Sequence, residues 1–171
     1  MENIKALIRT IPNYPKEGIM FRDITTLLKD SQGFQKSIKA LIKRYKDMKI
    51  DYVCGVEARG FIIGGALAYG LKKGFVPIRK KGKLPGKTIS QEYTLEYGND
   101  VIEIHHDAIE KGKRVLIVDD LLATGGTVEA VAKLLKEQKA IITGLAFVVE
   151  LCFLKGKDRL KDFDVYSVIK Y

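Results

Sequence analysis

The residues of this chain most suited to chemistry gather in one stretch, VLIVDDLLATGGT, from Val115 to Thr127. An apolar run that reads as a buried strand leads into two adjacent carboxylates, Asp119 and Asp120, then a turn of small residues and the start of an amphipathic helix. At Ala123, Thr124, Gly125, Gly126 and Thr127 the glycines let backbone N–H groups approach an anion. The threonine hydroxyls add donors, and the helix N-terminus favours negative charge. A phosphate monoester suits such a cradle. Ionised, Asp119 and Asp120 only accept hydrogen bonds, which suits sugar hydroxyls or a hydrated cation and repels phosphate. The pattern points to a ligand with phosphate at one end and a diol beside it, as in ribose 5-phosphate. Neither GxxxxGK[ST] nor GxGxxG occurs, so the common nucleotide-binding loops are not indicated.

A second stretch, Ile78 to Lys87 (IRKKGKLPGK), sets Arg79, Lys80, Lys81, Lys83 and Lys87 among Gly82, Pro85 and Gly86. Such a local cationic excess marks a segment that meets an anion. His105 and His106 have no metal-ligand spacing to other histidines or cysteines and read as surface residues.

The elements that must position these groups follow from periodicity. Asp30 or Ser31 caps a helix whose Phe34, Ile38, Leu41, Ile42 and Tyr45 share one face. Tyr52 to Val56 reads as a buried strand, followed by the turn Glu57, Ala58, Arg59, Gly60 and an apolar helix from Phe61 to Leu71. Phe75 to Ile78, Val101 to Ile104, Arg114 to Val118, Ile141 to Val149 and Val165 to Ile169 read as further strands. Val128, Val131, Ala132 and Leu135 mark another helix. Alternating strands and helices predict an α/β fold with a mostly parallel central sheet, which binds ligands at the carboxyl ends of its strands. Lys80 to Gly98 is the longest irregular stretch, a length typical of functional or mobile loops.

With 171 residues and 46% hydrophobic composition, the chain suits one domain over residues 1–171 with its own core. Cys54 and Cys152 sit in apolar stretches without metal or disulfide spacing, and both read as small core residues. No cationic leader and no membrane-length apolar run is found, so a cytoplasmic protein without a membrane partner is expected. A net charge of +9 admits nucleic acid, an anionic membrane or a small polyanion, and does not choose among them.

VLIVDDLLATGGT resembles the phosphoribosyl-pyrophosphate (PRPP) signature of type I phosphoribosyltransferases. Three further segments resemble the adenine-specific members: FRDIT (Phe21 to Thr25), VEARGF (Val56 to Phe61), and RKKGKLPG with TLEYG (Thr94 to Gly98). The likeness spans nearly the whole chain. It implies the type I phosphoribosyltransferase fold, with a small N-terminal hood over residues 1–30 and a flexible catalytic loop over residues 80–98. The implied activity is transfer of the 5-phosphoribosyl group from PRPP to adenine, giving AMP and pyrophosphate.

By the same resemblance, Glu57, Ala58, Arg59 and Gly60 form a pyrophosphate loop containing a non-proline cis bond. Arg79, Lys80 and Lys83 add cations from the same subunit or across a homodimer, and Met20, Phe21 and Arg22 of the hood meet adenine. Glu96 is the catalyst that handles a purine-ring proton, with Arg59 at the leaving group. The cofactor is Mg2+, held mainly by PRPP and reached from the protein through water by Asp119. Two alternatives share the PRPP run: an enzyme for 6-oxopurines, and a PRPP-sensing regulator of nucleic acid. Phe147 to Leu151 reads FVVEL, and Glu150 lacks the donor a 6-oxo group calls for. No helix-turn-helix pattern is appended, so no nucleic-acid partner is expected.

Overall fold

The computed structural model describes the backbone of residues 2–95 and 98–171, with the side chains of residues 4–94 and 98–171. A short helix, α1 (Glu2–Lys5), precedes an antiparallel hairpin of β1 (Arg9–Pro12) and β2 (Met20–Asp23). Two helices follow, α2 (Thr25–Lys29) and α3 (Ser31–Tyr45). The central part runs β3 (Tyr52–Val56), α4 (Arg59–Leu71), β4 (Gly74–Lys80), β5 (Thr88–Leu95), β6 (Gly98–His105), β7 (Arg114–Leu122), α5 (Gly126–Glu137), β8 (Ile141–Glu150) and β9 (Val165–Lys170). Seven strands form one sheet in the order β5-β6-β4-β3-β7-β8-β9, parallel from β4 to β9, with β6 antiparallel to β4 and β5 antiparallel to β6.

The VLIV run becomes the sheet's interior because both faces are covered. Val115 and Ile117 enter one core with α5, whereas Leu116 and Val118 enter the other with α3 and α4, and all four are fully buried. This two-residue alternation across a doubly covered strand explains a continuous apolar run in place of alternating polarity. Asp30 starts α3 as read, its Oδ1 accepting from the Gly33 N–H at 2.7 Å.

Three readings need correction. The stretch from Lys80 to Gly98 is not wholly irregular: Thr88–Leu95 forms β5, paired residue for residue with a β6 longer than the expected Val101 to Ile104. A flexible-looking composition here conceals a hairpin whose partner strand makes its order possible. The apolar helix starts at Arg59 rather than Phe61, so the turn and the helix overlap. Cys54 is buried, but Cys152 is exposed in a single turn after β8.

Phe147→Ala, which empties a fully buried site on β8, should lower the unfolding free energy by about 3–5 kcal/mol. Ile141→Ala at the 45% exposed start of the same strand should cost below about 1 kcal/mol. Urea denaturation at fixed protein concentration checks both.

Candidate active site

The carboxyl ends of β3 and β7 lie side by side in the parallel sheet, so the loops that follow them face each other. Between them opens a cleft of about 290 Å³, lined by Val56, Glu57, Ala58, Arg59, Lys80, Tyr93, Asp100, Asp119, Asp120, Leu121 and Thr127. Seven of the residues singled out from the sequence therefore share one concavity: Glu57, Ala58, Arg59, Lys80, Asp119, Asp120 and Thr127.

The loop after β3 carries a cis peptide between Glu57 and Ala58. Gly60 is required by close approach, since a Cβ there would lie 2.9 Å from Asp119 Oδ1 and 3.0 Å from the Val118 carbonyl. The Arg59 Nε donates to Asp120 Oδ2 at 2.5 Å, and the Asp120 N–H donates to Asp119 Oδ1 at 2.8 Å. Desolvation and the adjacent Asp120 charge push the Asp119 carboxyl well above its usual range, only partly opposed by the Asp120 N–H bond and by Arg59. Desolvation lowers the Arg59 guanidinium, but the Asp120 charge and hydrogen bond, together with the charges of Asp119 and Asp23, leave it raised.

Each of the other cleft acids holds a cation. The Glu57 carboxylate accepts from Arg79 Nε at 3.1 Å, from Arg79 Nη2 at 3.3 Å and from the Lys80 N–H at 3.0 Å. Burial would raise its pKa, but these bonds hold it below the usual value. Lys80 Nζ pairs with Asp100 at 2.9 Å, which raises the lysine and lowers the acid. Arg79 also donates from Nη1 to the Lys83 carbonyl at 3.1 Å, while Lys83 itself is exposed.

The segment read as an anion cradle forms the turn from β7 into α5. Gly125 sits at φ +84° as the cap of α5, and no side chain caps that helix start. Its N–H groups are thus free of a side-chain acceptor, the arrangement that favours a bound anion. A Cβ on Gly125 would lie 2.7 Å from the Gly156 carbonyl, so the loop rests directly on the chain after β8. Above it leans the β5–β6 hairpin: the Tyr93 hydroxyl meets Thr127 and lies 3.3 Å from Asp100 Oδ2.

Tyr93, Asp100 and Leu121 line the cleft without having been singled out from the sequence. Tyr93 and Asp100 arrive through the antiparallel register of β5 and β6, in which they are direct partners; reading this stretch as a loop hid them. Met20, Phe21 and Arg22 are not among the cleft's lining and sit on β2 of the separate hairpin. Arg22 turns its side chain to Thr10 and Tyr171. Ala123, Thr124, Gly125 and Gly126 form the turn from β7 into α5 and are not among the cleft's lining. Glu96 lies outside the described residues.

The profile of the phosphoribosyl transferase domain matches residues 23–170. The chain belongs to the phosphoribosyltransferase family. Its relatives include the adenine phosphoribosyltransferase of Acidobacterium capsulatum, 59% identical over 99% of this chain and 94% of that protein. That of Clostridium beijerinckii is 54% identical over 99% of this chain and 98% of that protein. Among solved structures, the adenine phosphoribosyltransferase of Thermoanaerobacter pseudethanolicus superposes with a TM-score of 0.96 at 52% identity, covering 99% of both chains. That of Saccharomyces cerevisiae, complexed with D-2,5-dideoxy-2,5-imino-altritol 1,6-bisphosphate and adenine, gives 0.92 at 42% identity, covering 98% of this chain and 97% of that one. The seven-stranded, mostly parallel sheet is thus the architecture of this phosphoribosyltransferase family.

The raised Asp119 carboxyl gives a signed prediction. Below the unfolded value near 3.8 both states are protonated and no penalty arises; as pH rises toward the higher folded value, native stability is lost. Asp119→Asn keeps the Oδ1 acceptor and removes the ionisation. It should raise the melting temperature by a few degrees at pH 8, about 2–4 °C per ~1 kcal/mol, with little change at pH 4. Thermal melts at the two pH values check this.

Proposed function

We propose that this phosphoribosyltransferase transfers the 5-phosphoribosyl group of PRPP to adenine, giving AMP and pyrophosphate. One observation carries the reading: a carboxylate pair near the end of β7 leads, through the turn at Ala123 and Thr124, into a glycine-led helix start without a side-chain cap, and Asp120 is bonded to Arg59 in a shared cleft. In it, the cradle from Ala123 to Thr127 takes the 5-phosphate, and Asp119 and Asp120 accept from the ribose hydroxyls. Glu57 to Gly60, with Arg59, Arg79, Lys80 and Lys83, receives pyrophosphate. Adenine comes from the relatives' names.

In the reaction, the N9–C1 bond forms as the C1–O bond to pyrophosphate breaks, through a transition state with oxocarbenium character. The N9 proton must leave, and Glu96 is assigned to a purine-ring proton. Arg59 and the loop cations hold the charge that builds on the leaving pyrophosphate, and the cradle fixes the far end of the ribose so that C1 stays in line. Closure of the 80–98 segment over the cleft is assigned the role of keeping water from the activated ribose.

Magnesium fits this donor set as a metal carried mainly by the substrate. Among the described residues no three His, Cys, Asp or Glu side chains group as a metal site, and of the four cleft acids only Asp119 has no cation partner within ion-pair distance. Bound to PRPP, Mg2+ screens the phosphates and improves the leaving group; Asp119 would reach it through water.

A homodimer is part of the proposal, supported by Ile62 and Tyr69, which stand 48% and 88% exposed on α4. The protein is assigned to the cytoplasm; no described helix is long and apolar enough to cross a membrane.

The test is incubation with magnesium, PRPP and, separately, adenine, hypoxanthine, guanine or xanthine. AMP formation from adenine alone is expected. Turnover of another base would reassign the substrate, and PRPP binding without any turnover would favour a regulator. Glu96→Ala should lower kcat by about 10²-fold or more while PRPP binding persists; an unchanged kcat would remove Glu96 from catalysis.

A further inference from the structure

The β1–β2 hairpin shares no hydrogen-bonded ladder with the seven-stranded sheet. Its position relative to the sheet therefore depends on side-chain contacts and on the packing of α1 and α2. One such contact is unusually concentrated. Tyr171 is tied to the end of β8 by two backbone bonds: its N–H donates to the Glu150 carbonyl and its carbonyl accepts from the Cys152 N–H, both at 2.9 Å. Its ring then receives two cations from the N-terminal segment. Arg22 Cζ of β2 stands 4.1 Å from the ring centroid, and Lys5 Nζ of α1 stands 4.3 Å from it. Lys5 closes the arrangement, since its Nζ donates to the Lys170 carbonyl at 2.8 Å and its own carbonyl accepts from the Tyr171 hydroxyl at 3.3 Å.

Among the described residues neither Arg22 nor Lys5 forms an ion pair with a carboxylate, and the buried Nε of Arg22 has no hydrogen-bond partner. The Arg22 guanidinium is therefore held by the π face of Tyr171 and by the Thr10 hydroxyl, to which its Nη1 donates, in a partly desolvated setting that strengthens cation–π attraction. Arg22 adjoins Phe21 in β2, and Phe21 packs edge-on against Tyr14 at 5.1 Å across the hairpin.

We propose that Tyr171 is a positioning residue for the nucleobase: held at the edge of the sheet, its ring clamps Arg22 and Lys5 and so sets where Met20 and Phe21 stand relative to the ribose site. This rests on the adenine reading of Met20 to Arg22. It also assigns the Arg22 side chain to anchoring, leaving its backbone to face the base. The clamp touches neither the phosphate cradle nor Arg59, so it acts on base affinity alone.

The experiment is steady-state kinetics on Tyr171→Leu, Tyr171→Phe, Lys5→Met and Phe21→Ala. Tyr171→Leu keeps apolar bulk and removes the π face; KM for adenine should rise about fivefold or more, with KM for PRPP and kcat within about twofold. Tyr171→Phe keeps the face and should stay within about twofold of the parent, a rescue that bulk alone would not predict. Lys5→Met, a mild change should the leucine variant not fold, should give a smaller rise confined to adenine. Phe21→Ala should raise KM for adenine on its own account. If Phe21→Ala raises it while the Tyr171→Leu and Lys5→Met values stay at the parent level, the clamp is overturned with the adenine reading intact. If Phe21→Ala leaves it unchanged, that reading fails and takes the clamp with it. An equal rise in KM for PRPP in Tyr171→Leu would also overturn the proposal, because it would mark a general loss of structure.

Discussion

Two neighbouring carboxylates at the end of a buried strand repel each other and lose hydration together, so something must compensate them before the strand can carry them. In this chain the compensation is divided. Asp120, its side chain 7% exposed, is paired with Arg59, while Asp119 is pushed toward its protonated form. Much of the surrounding structure follows. Arg59 must stand at the first turn of α4, which sets where β3 ends. Residue 60 must be glycine, because Asp119 and the Val118 carbonyl occupy the space of a side chain. β7 must be held on both sides by parallel neighbours, because a strand that shifts by one residue would turn these acids to the opposite faces.

The same logic extends across the cleft. Arg79 is held by Glu57 and Lys80 by Asp100, so three cations assigned to pyrophosphate, Arg59 among them, are each kept beside an internal acid. Pairs at least half exposed on one side, such as Lys80 with Asp100, contribute little, on the order of 0–1 kcal/mol, and an incoming polyanion can take their cations at small cost. Asp120 is different: stripped of Arg59 it would be a nearly buried, unpaired charge. On the proposed reading a ribose hydroxyl replaces Arg59 as its partner in the same event that gives Arg59 to pyrophosphate. A ligand that carries both groups is therefore favoured over one that carries either alone.

What the sequence reveals and conceals divides along the distance between interacting residues. The strand–turn–helix run from Val115 to Thr127 was legible because its parts are contiguous: strand, acids, glycines and helix start occupy one run of chain. The parallel core strands and the Asp30 cap were legible for the same reason, through local period and local hydrogen bonding. Tyr93 and Asp100 were not, since their place in the cleft depends on a strand pairing between β5 and β6 that carries no strong alternation of its own. Arg22 was marked as a residue of the base site, yet its side chain is engaged by Tyr171, 149 positions away by residue number. No local pattern announces a contact of that range.

The net charge illustrates how composition can mislead about location. A value of +9 suggests a basic site, but the cleft lining holds four acids, Glu57, Asp100, Asp119 and Asp120, against two cations, Arg59 and Lys80. A flat basic surface attracts any polyanion, long or short. A concave site whose cations are already matched to carboxylates attracts only a ligand that can satisfy both kinds of partner, with hydroxyls for the acids and phosphate oxygens for the bases. On the proposed reading that requirement favours a phosphorylated sugar, and it resides in the pairing of charges rather than in their sum.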